Sequence, residues 1–175
     1  MYLISAYFDL SSSKRIQHYI DQVAMATGNT FMTANKVPPH MTIASIEART
    51  GTELIPVFEQ AVSCLKAGEI SVVSVGMLLP YVLYATPVLN EYLQDMSQRI
   101  YQAFAEMPNT CMSKYYLPMQ WLPHITIGKK LTNEQMRQGI EVMMQYFCPF
   151  DVKITRIGLS SVNPYRDLRV IELES

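Results

Sequence analysis

Apolar positions recur along this chain in two periods. Residues 3–9 carry strand-forming residues, and 40–46 and 124–128 alternate apolar and polar side chains, which predicts strands. Runs at 69–78, 81–86, 150–159 and 166–173 read as further strands. Elsewhere the spacing is helical. Ile16, Tyr19, Ile20 and Val23 form a stripe that the serines at 11–13 can cap and Gly28 ends. Thr52 can cap a second helix with Leu54, Phe58, Ala61, Val62 and Leu65 on its apolar face. Thr86-Pro87 signals the start of a third helix, burying Leu89, Leu93, Met96, Ile100 and Phe104. Thr132 and Gln135 form a capping box ahead of Met136, Ile140, Met143 and Phe147. Residues 29–39 and 107–122 read as loops.

The order is strand, helix, strand, helix, strand, stated twice. It predicts an α+β fold in one domain over 1–175, with two similar lobes near 1–80 and 81–175. In each half the second strand opens on a histidine preceded by proline.

Composition narrows the function. Apolar residues make up 49% of the 175, ordinary for a globular protein. Charged residues are 17% with a formal net charge of −1, which argues against a chain built to track long nucleic acid. The three cysteines, Cys64, Cys111 and Cys148, form no C-x-x-C pair, so a reducing, cytoplasmic setting is expected. The first residues carry no positive n-region, and Pro80 and Pro87 break the apolar stretch 77–89, so neither a secretory signal nor a membrane span is expected. With no G-x-G-x-x-G and no Walker loop, phosphate binding through a P-loop is unsupported. The twelve methionines fill helix stripes and read as core.

The informative feature is a pair of tetrapeptides, Pro39-His40-Met41-Thr42 and Pro123-His124-Ile125-Thr126. The chain holds only three histidines. Two of them followed by threonine at i+2 would arise by chance about once in a hundred such sequences, and the prolines lower that further. On a strand, i and i+2 share a face about 7 Å apart. Each strand therefore presents an imidazole and a hydroxyl on one side and is anchored by Met41 and Ile43, or Ile125 and Ile127, on the other. Two imidazoles facing one cleft suit acid–base chemistry at phosphorus. One, neutral, takes a proton from water; the other, protonated, gives one to the leaving oxygen. The threonines can donate to the non-bridging oxygens. This chemistry requires no metal. No H-E-x-x-H is present, and neither motif has a cysteine nearby or an acidic residue within it.

Two H-x-T motifs in the two halves of a chain of this size resemble the 2H phosphoesterase superfamily, which includes proteins called 2′-5′ RNA ligases and cyclic nucleotide phosphodiesterases. The resemblance implies a bilobal fold with the motifs facing across a central cleft, and His40, Thr42, His124 and Thr126 as the catalytic set. It implies metal-independent hydrolysis of 2′,3′-cyclic phosphate ends or action on 2′-5′ linkages, with no cofactor. Its partner would be a nucleotide or short RNA end. A monomer is expected. Many members carry arginine shortly after the second motif, where this chain has Lys129 and Lys130. The alternative use of the same cleft is binding of a nucleotide or RNA end without turnover.

Other residues are candidates for the substrate. Tyr115, Tyr116 and Trp121 in the loop 107–122 offer rings on which a base can stack, with packing of that loop as the plainer reading. If alternation continues, Lys130 and not Lys129 shares the face of His124. Tyr7 or Ser5 on the first strand can reach the cleft. His18 lies off its helix stripe and is given no role.

Overall fold

The computed structural model describes residues 1–35 and 37–174. Among the described residues it is an α+β arrangement of antiparallel strands and five helices, in the order β1 (Tyr2–Phe8), α1 (Leu10–Thr27), α2 (Phe31–Ala34), β2 (His40–Glu47), α3 (Ile55–Val62), β3 (Gly68–Leu78), β4 (Val82–Pro87), α4 (Glu91–Ala105), β5 (Cys111–Met112), β6 (Ile125–Gly128), α5 (Asn133–Tyr146), β7 (Phe150–Val162) and β8 (Tyr165–Glu172). Among the described residues no helix is long and apolar enough to cross a membrane.

The predicted elements are present, and the differences have local causes. Helix α1 is capped by the Asp9 carboxylate, which accepts from the Ser12 N–H at 3.1 Å, so the three serines lie inside the first turn. Gly28 ends α1 in the left-handed region at φ 67°. Thr52 opens a short 3-10 turn over Thr52–Leu54 without a side-chain cap, and α3 follows with a proline in its first turn. Thr86-Pro87 does not start a helix. The Thr86 hydroxyl donates to the Pro123 carbonyl at 2.8 Å, and Pro87 ends β4 paired with Val72. Asn90 accepts from the Leu93 N–H instead, and α4 begins at Glu91, leaving Leu89 exposed. The capping box of Thr132 and Gln135 is complete in both directions. The stretches read as loops hold α2, β5 and a 3-10 turn at Lys114–Tyr116.

The sheet runs β1-β2-β6-β4-β3-β7-β8, and β7 also pairs with β1, closing six strands into a ring. Exchanging β1, β2, β3 with β4, β6, β7 leaves the neighbours within the ring unchanged. The irregularities within the ring obey the same twofold. Ile43 is the extra residue where β2 meets β1, and Ile127 the extra residue where β6 meets β4. Val73 is skipped between β3 and β4, and Thr155 between β7 and β1. Helices follow suit: α1 packs on α5 and α3 on α4.

Space therefore does not divide at residue 80. Strand β3 of the first half lies between β4 and β7 of the second, because each half sends its third strand across to the other. The core fills the ring's apolar side: Ile4, Met41, Ile43, Leu83, Ile125, Ile127 and Ile157 are all buried.

Candidate active site

The two motif strands meet at the middle of the ring through a single registered pair, Met41 with Ile125. Both side chains are fully buried, which anchors β2 and β6 from below. By alternation the motif residues project to the opposite face. His40, Thr42, His124 and Thr126 line one cavity of about 360 Å³. The sequence spacing puts each histidine and its threonine on one face, and all four share this wall.

The imidazoles are held alike. His40 Nδ1 lies 2.9 Å from the Pro38 carbonyl oxygen, and His124 Nδ1 lies 2.9 Å from the Leu122 carbonyl oxygen. A carbonyl only accepts, so each Nδ1 carries the proton and donates. Each Nε2 is then a lone pair on the neutral ring and a donor on the protonated one. Burial pushes both imidazoles below the ordinary histidine value, and Lys129 pushes both the same way, while the carbonyl bonds oppose the shift. His124 adds to the effect on His40, which Asp167 partly offsets.

The β-bulges explain which further side chains enter the cavity. A bulge inserts one residue and reverses the alternation beyond it. After Ile43, Ser45 rather than Ala44 faces the cavity. After Ile127, Lys129 takes the equivalent place and lines the wall. Lys130, expected on the His124 face, does not lie there, and Lys129 replaces it. Strand β6 stops at Gly128, Lys130 adopts φ 57°, and its ammonium sits 4.6 Å from the centre of the Phe31 ring, outside the cavity wall. Sequence reasoning misses Ser45 and Lys129 because a bulge leaves no residue-type signature. The recurrence of Ile43 and Ile127 after the two motifs is the one hint in the sequence.

The aromatic candidates separate. Tyr116 lines the cavity beside Thr42, and burial raises its hydroxyl's pKa, which Thr42 partly offsets. Tyr115 is 71% exposed, under the Lys114 ammonium and off the wall. Trp121 is not placed for stacking either. It is buried, and its indole N–H donates to the Thr42 backbone carbonyl at 3.1 Å. Where β2 and β6 diverge, that carbonyl takes its partner from the loop. Tyr7 is buried with its hydroxyl turned away, 2.7 Å from the Tyr165 hydroxyl and 2.8 Å from Asp167 Oδ1, to which it donates. Its ring meets His40 edge-on instead. Ser5 is buried, opposite Thr42 in register. The rest of the wall is mainly apolar, with Leu3, Phe31, Met32 and Val82 among its members. Among the described residues no group of three or more His, Cys, Asp or Glu is arranged to hold a metal.

Solved structures share this fold. A crystal structure of a phosphoesterase superposes with a TM-score of 0.66 at 13% identity, covering 99% of this chain and 98% of that one. LigT from E. coli complexed with 3′-AMP gives the same values. LigT complexed with phosphate gives a TM-score of 0.63 at 13% identity, covering 99% and 97%. No curated protein matches at the level of sequence. Residues 10–164 match the model of the 2′-5′ RNA ligase superfamily, and the chain belongs to that family.

Proposed function

We propose that this protein is a phosphoesterase that hydrolyses a 2′,3′-cyclic phosphate, or a 2′-5′ phosphodiester, on a nucleotide or short RNA end, without a metal. The observation that carries the reading is the matched pair of imidazoles. Both Nδ1 edges are occupied by carbonyls, and both rings border one cavity together with two threonines.

The chemistry follows from that arrangement. A neutral Nε2 takes a proton from water as the water oxygen bonds to phosphorus. The bond from phosphorus to the 2′ or 3′ oxygen breaks, and the other ring, protonated on Nε2, delivers its proton to that oxygen. The base ends protonated, the acid ends neutral, and one proton exchange with solvent resets the pair. Thr42, Thr126 and Ser45 supply hydroxyl donors for the non-bridging oxygens, and Lys129 supplies positive charge. Pre-placed donors in a partly desolvated cavity lower the barrier where negative charge builds. The 3′-AMP and phosphate complexes of LigT support a nucleotide phosphate as the ligand class. Tyr116 and Phe31 offer apolar wall to a base or ribose.

The test is product analysis after incubation with 2′,3′-cyclic nucleotides in the presence of EDTA. Turnover to a single monophosphate isomer is expected. His40→Ala and His124→Ala are each expected to lose at least about 10²-fold in rate. Full activity in either variant defeats the mechanism. Binding of the nucleotide without turnover across a broad panel would identify a binding module instead.

A further inference from the structure

Each motif histidine is backed by a tyrosine ring, and each ring is seated on a glycine. Tyr7 meets His40 with ring centres 6.4 Å apart and planes at 63°, and Tyr84 meets His124 at 5.5 Å and 62°. A Cβ on Gly158 would collide with the Tyr7 ring, and a Cβ on Gly76 would collide with the Tyr84 ring.

The two glycines are twofold mates. Gly76 on β3 pairs with Tyr84, and Gly158 on β7 pairs with Ser5, while Tyr84 and Ser5 stand opposite Thr126 and Thr42. The tyrosines are not mates. Tyr84 lies directly across from its glycine. Tyr7 starts two residues further along β1, opposite His40, and reaches back diagonally over Gly158. The same stack of glycine, tyrosine and histidine is thus reached from two different strand positions. A feature merely repeated with the fold would use equivalent positions in both halves. Tyr7 is further tied by its hydroxyl to Tyr165 and Asp167 on β8; no such bond is found for the Tyr84 hydroxyl among the described residues.

We propose that Tyr7 and Tyr84 are positioning residues: their ring edges, held in place by the bare backbone of Gly158 and Gly76, fix the rotation of the two imidazoles so that each Nδ1–H keeps its carbonyl and each Nε2 stays turned to the phosphate. The kinetic part of this inference rests on the phosphoesterase reading. The tyrosines touch the histidines and not the reacting atoms. An imidazole has a soft final torsion, with orientations that differ little in intrinsic energy. The carbonyl holds one edge and the ring blocks swinging of the other. A small misplacement of an acid or base in a positioned reaction is costly in rate.

The experiment uses Tyr84→Phe, Tyr84→Leu and Gly76→Ala as single variants, and Gly76→Ala combined with Tyr84→Leu. Two readouts are the kcat and KM for a 2′,3′-cyclic nucleotide and the imidazole Nδ1–H proton signals by NMR. Tyr84→Phe keeps the ring and is expected to stay within about twofold of the unaltered kcat, whereas Tyr84→Leu is expected to lose about tenfold in kcat with KM nearly unchanged. In Tyr84→Leu the Nδ1–H signal of His124 broadens by exchange with water while that of His40 persists, which also reports that the rest of the molecule is folded. Gly76→Ala costs rate when Tyr84 is intact and little when Tyr84→Leu is already present, since the collision partner is gone. Retention of kcat and of a sharp His124 signal in Tyr84→Leu overturns the proposal. So does an equal cost of Gly76→Ala in both backgrounds. If the unaltered protein turns over no substrate, the phosphoesterase reading fails on its own, and the proton signals still decide this one.

Discussion

At the scale of single residues the electrostatics of the two imidazoles set the expected pH behaviour. Both lie below the ordinary histidine value, chiefly through burial and then through Lys129. In the proposed mechanism kcat/KM needs one ring neutral and one protonated in the free protein, so its maximum falls between two lowered values. The optimum is expected on the acid side of about pH 6.5, with a bell-shaped profile. The same shifts act on stability. An unfolded histidine binds its proton near pH 6.5, before the folded one does, so below about that point the unfolded chain holds more protons than the folded one. Stability is therefore expected to fall as pH drops from about 6.5 toward the folded values. Calorimetric melts from about pH 7.5 down to about 5 check this; the dependence should flatten in a His40→Ala/His124→Ala double variant. The residues of this scale that the sequence makes legible are the ones with a chemical signature: two histidines and two threonines at strand spacing. Lys129 and Ser45 carry no such signature, because what brings them inward is a backbone bulge and not a side-chain type.

At the scale of elements the recurring theme is how a strand keeps its backbone satisfied where its neighbour departs. Strands β2 and β6 share one registered pair, and Trp121 completes β2 by donating to the Thr42 carbonyl at 3.1 Å. Trp121→Phe removes that donor within a buried setting. A loss of about 2 kcal/mol is expected, read as a lower urea midpoint at unchanged slope. Because Thr42 carries one of the hydroxyls at the cavity, kcat should fall with it. Element types are readable from periodicity, and most starts and stops from capping chemistry. Thr132 with Gln135 shows that well. Thr86-Pro87 shows where the logic fails: a threonine before a proline is a cap only if its hydroxyl is free, and here a carbonyl 37 residues away in the chain takes it.

At the scale of the whole molecule the repeated order of elements announces the α+β class but not the exchange of third strands. Periodicity reports which face of a strand is buried and is silent on which neighbour it joins. Since β3 pairs with β4 and β7, and β7 with β1, neither half contains the partners it needs. Segments 1–80 and 81–175 produced separately are expected to lack native near-ultraviolet circular dichroism, and to recover it together if at all. A folded isolated half would contradict the interlaced arrangement. The closing of the ring has a further consequence during synthesis. The ribosome delivers β7 after every other strand of the ring, so β1 keeps one raw edge, and the floor beneath His40 stays open, until residues 150–161 emerge. A nascent chain thus holds both motifs before the ring that seats them can close, and until then the unpaired edge of β1 lies open to unwanted partners.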